Sequence, residues 1–311
     1  MIVKKIIKII LSVIGSIIGV FVLLIGGLNI LKFAIYSDFY KNSKDIGGIP
    51  GLNDNAIPQG ICYDEINEVY YISSYTKNKT ASRIYVTDGK TSFYKTLEKD
   101  GKDFKGHVGG IATTGEYAYI ANGSKIYKVK TESINDKNTK VLKLNEEISV
   151  NNAASFVFTN DTDLYVGEFH DGGKYVTNHP IQVDEKTTHY AIISKYSLSD
   201  LTKPTAIYSV RNKVQGMCVK DNGEIVLSTS YGLSSSYFYT YLPGDFKESD
   251  QEIDGIKVTV LDKVNKKMKA PAMMEDLDFV DGKVVSLTES ACDKYIFGKF
   301  FFAWDFFSIN L

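Results

Sequence analysis

In this chain of 311 residues the polar side chains with chemistry to offer stand at repeated places. Gln59, His107, Asn152, Gln215, Glu275 and Asp276 lie at or just before the start of successive apolar runs. Asn122, Glu168, His170, Ser230, Tyr231 and Glu289 lie just beyond the run that follows each. If both ends of every pair of runs reach one rim, these groups meet at a single opening, and three chemistries become available. Oxygen donors from Asn152, Glu275 and Glu289, with Glu168 as a fourth, are the hard ligands calcium takes, and a bound cation polarises a lactone or ester carbonyl. His107, in GHVGGIA, is a candidate catalytic base, because an imidazole beside a carboxylate titrates near neutrality. Gln59, Asn122, Glu168, Gln215, Ser230 and Tyr231 form a ligand-binding set of amides, hydroxyls and a ring suited to a glycan or peptide held without turnover.

Each reading has a plainer competitor. A histidine at a loop end more often bonds a backbone carbonyl, and amides stand at Gln59 and Gln215 where a cation site calls for carboxylates. His170, His179 and His189 crowd the stretch HDGGKYVTNHPIQVDEKTTHY, yet spacings of 9 and 10 match no zinc motif, so a long solvated loop over the opening is expected. Cys62, Cys218 and Cys292 are too scattered for a disulfide framework and read as small buried hydrophobes. Neither G-x-S-x-G nor G-x-x-x-x-G-K-[ST] occurs, which argues against serine-hydrolase and nucleotide-dependent chemistry. With 36 Lys+Arg against 37 Asp+Glu there is no basic excess to serve nucleic acid.

The elements that must position these groups repeat. Paired apolar runs begin at Gln59, Gly109, Ala154, Gln215 and Glu275, and each pair holds a tight-turn signal at the same offset, such as Asp221-Asn222-Gly223 or Asp281-Gly282. Third strands follow as SRIYVTD, SKIYKVK, AIISKYS and SYFYTYL, with DFFSINL as the fifth. Fourth strands are expected in TSFYKTL, TKVLKLN, TAIYSV and IKVTVLD. Four antiparallel strands per unit cannot bury both faces alone and must stack, which is the logic of a β-propeller blade. Five blades are expected, six being the alternative and a β-sandwich the competing architecture. The fifth copy lacks a fourth strand, and residues 38 to 57 could supply it and close the ring.

The starts PQGICYD and MEDLDFVDGK resemble those of the propeller superfamily of gluconolactonase and senescence-marker-type proteins, paraoxonase-like lactonases and strictosidine-synthase-like proteins, over residues 56 to 311. That resemblance implies a ring of Glu, Asn and Asp holding a divalent cation, commonly calcium, for hydrolysis of lactones or related esters. Glu275 matches the acidic start, and His107 resembles the channel histidine that paraoxonase-like enzymes use as a base. Gln59, Gln215, Gly109 and Ala154 depart from the pattern.

Ahead of the repeats, residues 9 to 31 contain no charge in 23 positions, enough helix to cross a hydrocarbon layer of ~30 Å. Lys4, Lys5 and Lys8 before it outweigh Lys32 after it, so a cytoplasmic N-terminus (1–8) and an extracytoplasmic remainder are expected, a cleaved signal being the alternative. Gly15 and Gly19 form a G-x-x-x-G pair of a kind common in such helices. Residues 32 to 50 read as a linker and 51 to 311 as the propeller. The expected protein is a single-pass cell-membrane protein, its composition suiting a bacterial envelope, that binds a small molecule, glycan or peptide at the channel mouth and no nucleic acid. The alternative is a calcium-dependent lactonase- or esterase-like hydrolase.

Overall fold

A computed structural model describes residues 2–295, 298–300 and 303–311. Blade 1 comprises Ala56–Asp64, Val69–Thr76, Arg83–Thr87 and Ser92–Lys99, antiparallel in chain order. Blade 3 has Phe156–Thr159, Asp163–Gly167, Ala191–Ser197 and Ala206–Val210; blade 4 has Val214–Val219, Ile225–Thr229, Ser236–Tyr241 and Lys266–Ala270. In blade 2, Ile111–Thr113 and Glu146–Ala154 flank a long middle strand, Tyr117–Lys130. The Thr131 N–H donates to the Glu116 carbonyl at 3.0 Å. The two ends of that strand therefore lie together, and it folds back at Gly123, whose φ of +63° suits the reversal. The innermost strands of the five blades touch in order around one axis, so the fold is a five-bladed β-propeller.

Blade 5 closes the ring. Met274–Val280, Lys283–Thr288 and Asp305–Ile309 are completed by Ser43–Gly48, with Ser43 opposite Ile309 and Gly48 opposite Asp305. The missing fourth strand thus comes from within 38–57, in the stretch read as a linker. Asp281 and Gly282 at the tip of the inner hairpin both take positive φ (+50° and +74°), the tight-hairpin geometry the sequence signalled.

Two expected fourth strands lie elsewhere. Val141–Lys143, from TKVLKLN, runs parallel to the outer strand of blade 1, and Ile256–Val260, from IKVTVLD, runs parallel to the outer strand of blade 3. Each covers the open edge of the preceding blade, and the fourth-strand place goes to the segment just before the next blade, Glu146–Ala154 or Lys266–Ala270. The stretch 170–189 is not simply a solvated loop. It forms a small hairpin (Ile181–Gln182 with Thr188–His189) and buries His170, Thr177, Ile181 and His189.

An N-terminal helix, Ile2–Ile35, has a mean hydropathy of 2.8 in its most apolar window and none of its residues buried, and it is long enough to span a membrane. A second short helix, Ser37–Asn42, wedges between blades 4 and 5. Its Phe39 is fully buried, stacked with Phe238 (6.4 Å between centroids) and edge-on to Phe307 (5.1 Å). Burying such a ring is worth about 1.5–3 kcal/mol.

Candidate functional site

Each inner strand begins at the same rim with an aligned pair of residues: Gln59-Gly60, Gly109-Gly110, Ala154-Ser155, Gln215-Gly216 and Glu275-Asp276. The second member of each pair closes the axis. A Cβ at Gly60 would lie 2.6 Å from Gly110 Cα, one at Gly110 2.6 Å from Asp276 Oδ2, and one at Gly216 2.4 Å from Asp276 Cα. Four small residues therefore make room for one carboxyl group on the axis. Asp276 is fully buried, and its Oδ2 accepts the Ile111 N–H at 3.1 Å. Burial pushes its pKa well above the usual carboxylate range, against the opposing pull of the Leu277, Ile111 and Ile61 amides.

The first members point to the mouth. Register shifts at Pro58/Gly60, Val214/Gly216 and Met274/Leu277 mark bulges where Gln59, Gln215 and Glu275 sit, a device that re-aims a side chain at a strand end. Gln59 Nε2 donates to Glu289 Oε2 at 2.9 Å. Glu289 and Glu275 are close enough to titrate together. Burial raises Glu275 well above its ordinary value, with Glu289 and then Asp276 adding to the shift and Lys294 opposing it. Burial raises Glu289 too, opposed by Lys294 and by hydrogen bonds from Tyr295 and Gln59. Lys294 Nζ donates to Tyr75 Oη at 2.6 Å, and the Tyr75 ring lies 4.1 Å from that of His107. Gln59, Tyr75, His107, Glu275, Glu289, Lys294 and Tyr295 thus form one cluster at the mouth.

His107 is exposed on the rim, and the Asn122 side-chain amide donates to its carbonyl at 2.9 Å. The surrounding walls, then Lys294 and Lys174, push its imidazole down to about 4. His107 is therefore neutral at pH 7 and a weak base. A base poised near neutrality was the expectation, and the cations around this ring oppose it.

Other expected members lie apart. Glu168 is buried and saturated: its oxygens accept the Ala153 N–H and the Ile192 N–H, both at 3.1 Å, and His179 Nδ1 at 3.0 Å from each. It ties three strands to the 170–189 segment. Asn152 is also buried, its amide donating to the Val166 carbonyl at 2.9 Å in blade 3. Among the described residues no group of three His, Cys, Asp or Glu has the arrangement of a metal site. His170 bonds Thr177 and His189 bonds Ser209, both at 2.9 Å, so the three histidines of this segment go to three separate partners. Gln215, Ser230 and Tyr231 meet in a second place. Gln215 Nε2 lies 3.3 Å from Ser230 Oγ, beside a cleft of about 300 Å³ lined by Arg211, Lys213, Ser230, Tyr231, Ser235 and Tyr239.

Lys294 and Tyr295 were not expected in the site. They belong to the aromatic insertion ACDKYIFGKFFFAWD, which has no counterpart in the other four copies, so the repeat could not flag them. Ile296, Phe297, Phe301 and Phe302 of that insertion lie outside the described residues. The three cysteines are buried thiols.

No family model and no curated protein sequence matches the chain, so the likeness to the lactonase superfamily rests on pattern alone. Solved structures share the propeller. Glutaminyl cyclase of Myxococcus xanthus is similar at 10% identity over 86% of this chain and 95% of that one, with a TM-score of 0.48. The PQQ-bound aldose sugar dehydrogenase of Streptomyces coelicolor is similar at 15% identity over 79% and 76%, with a TM-score of 0.44. The Dos1 propeller is similar at 9% identity over 79% and 68%, with a TM-score of 0.36. These likenesses concern the fold and carry no chemistry to this chain.

Proposed function

We propose that this protein is a single-pass, membrane-anchored propeller, with its propeller outside the cytoplasm, that binds a glycan or peptide ligand at the mouth through the cluster around Gln59, Glu275 and Glu289. The observation that carries this reading is the carboxyl pair at the mouth, Glu275 buried and Glu289 half-buried. Two acids raised above their ordinary range set carboxyl oxygens side by side, where they meet hydroxyl or amide groups of a ligand. Gln59, Tyr75, Tyr295 and Lys294 add neutral and cationic groups around them, a set suited to hydroxyls or peptide amides. Tyr231, over Phe169 at 6.3 Å, and Tyr75 provide aromatic faces on which an apolar sugar face can stack.

One observation favours the hydrolase alternative: the mutual repulsion of Glu275 and Glu289 is what a divalent cation relieves. The expected donor set falls short, however. Glu168 is taken up by two backbone amides and His179, and among the described residues no three His, Cys, Asp or Glu gather as a metal site, where calcium takes ~6–8 oxygens. The test uses the full chain in detergent micelles. Titration with a β-linked glucose tetramer and with a blocked tetrapeptide should give saturable binding by one of them, weakened about tenfold or more by Glu289→Gln and by Tyr75→Phe. Binding of neither probe, together with a calcium-dependent rise in melting temperature that Glu275→Gln abolishes, would replace this reading with the hydrolase.

A further inference from the structure

We propose that the mouth-side rim of blades 4 and 5, with the neighbouring insertion of blade 3, rests on the lipid surface, so that the channel mouth opens toward the bilayer and receives its ligand from the membrane interface. This inference rests on the reading of Ile2–Ile35 as a membrane span, and it follows from where that helix leaves the propeller. Tyr36 lies at the mouth end of blade 4: its hydroxyl is 3.4 Å from Ser235 Oγ, and Lys269 Nζ sits 5.5 Å from its ring. Ser235 directly precedes Ser236, which pairs with Ala270 at the mouth end of that blade. From Tyr36 the short helix descends to the opposite end, where the Asn310 N–H donates to the Asn42 carbonyl at 2.8 Å and Ser43 pairs with Ile309. The long helix therefore rises from the mouth face, and the turn Gly298–Phe300 on that same face touches it.

The distance is short. The charge-free run ends at Leu31, five residues before Tyr36. At 1.5 Å per residue that is ~7.5 Å, about the thickness of one interfacial layer. The rim is thus held at headgroup depth by covalent connection.

The surface chemistry agrees. Outside the long helix, the exposed large hydrophobic residues on mouth-side loops are Tyr175, Val176, Tyr190, Tyr231, Leu233 and Trp304, whereas the opposite turns expose Ile66 and Leu242. Val176 and Leu233 are 65% and 63% exposed. Lys174, Lys213 and Lys294 lie over the rings of Tyr175, Tyr231 and Tyr295, each at 5.0 Å. Aromatic rings with basic groups beside them are the chemistry of a membrane interface, and cations there are drawn to anionic headgroups.

Trp304 is the chain's single tryptophan and stands on this face, so its emission reports the contact directly. The full chain is reconstituted into vesicles of phosphatidylcholine and phosphatidylglycerol, with and without lipid brominated near the headgroup end of the acyl chains. Trp304 emission should be blue-shifted, shielded from iodide and quenched at least twofold by the brominated lipid. In the background Trp304→Phe, Ile66→Trp should place the fluorophore on the far face, open to iodide and untouched by bromine. Trp304 emission as iodide-sensitive as that of Ile66→Trp, in protein that survives an alkaline wash of the vesicles, would overturn the inference. Loss of the protein in that wash would instead remove the anchor reading on which it rests.

Discussion

If one carboxyl group holds the propeller axis shut, substitutions at Asp276 should separate into two kinds. Asp276→Ala removes the acceptor of the Ile111 N–H (3.1 Å). Nothing refills the space, because the aligned neighbours are Gly60, Gly110, Ser155 and Gly216. A buried donor left without a partner costs about 1–3 kcal/mol. The loss at Ile111 is therefore about 1–3 kcal/mol, a sizeable part of a stability of about 5–15. Asp276→Asn keeps the shape and a carbonyl oxygen, so at pH 5 its cost should stay below about 1.5 kcal/mol. The two also differ in their dependence on pH. Burial raises the folded pKa of Asp276 above its ordinary 3.8, so the folded state binds this proton more tightly. The resulting stability is complete below the unfolded pKa and is lost as pH rises through the folded one, at up to about 1.4 kcal/mol per pH unit. Asp276→Asn lacks that slope and should overtake the wild type as pH rises. Guanidinium unfolding of the full chain in micelles, followed by circular dichroism at pH 5 and pH 8, measures both effects. Parallel pH dependence of wild type and Asp276→Asn, or a cost below about 1 kcal/mol for Asp276→Ala, would refute the argument.

Gly216→Ala drives a methyl to 2.4 Å from Asp276 Cα and should lower stability by about 1–3 kcal/mol, while Gly244→Ala, with open space around it, should stay within about 0.5. Phe39→Ala empties the wedge between Phe238 and Phe307 and should cost about 3–5 kcal/mol, read as a lower melting temperature. The hydrogen bond to Glu168 raises the pKa of His179 above 6.5, so its contribution is whole below that value and fades as pH climbs through the raised one. Amide exchange in residues 170–189, corrected for intrinsic rate, should therefore speed up between pH 6 and pH 8 in the wild type and stay level in His179→Gln; equal changes in both would dismiss the tether.

The blades were legible because a hairpin leaves a local record, alternating apolar residues around a turn residue, and the record repeats. The closing strand could be anticipated by subtraction, since blade 5 has only three strands in its own copy. Val141–Lys143 and Ile256–Val260 were misassigned because a strand carries no mark of which edge it will join; a parallel partner some 45 or 50 residues back looks locally like the next strand of its own blade. The site divided in a similar way. Gln59 and Glu275, at strand starts, and Glu289, at the return offset, lie together. Glu168 shares that offset, yet its carboxylate is consumed by two backbone amides and a histidine from a long insertion, partners that no periodicity reveals. Lys294 and Tyr295 enter from a segment found once, so a reading built on repetition passed over them.

The aligned pairs also explain why the chain writes Gln-Gly twice. Closing the axis needs a small second residue, and the bulge that brings neighbouring backbones into contact turns the first residue upward to the mouth. A polar first residue is then a separate choice, made at Gln59, Gln215 and Glu275 and not at Gly109 or Ala154. Those three belong to blades 1, 4 and 5, which are consecutive around the ring, so the hydrogen-bonding half of the mouth is one continuous arc. The short helix that follows the long apolar helix wedges between blades 4 and 5, within that arc. Under the proposed function, a ligand recognised by these amides and acids would bind on the side of the opening beside the N-terminal helix.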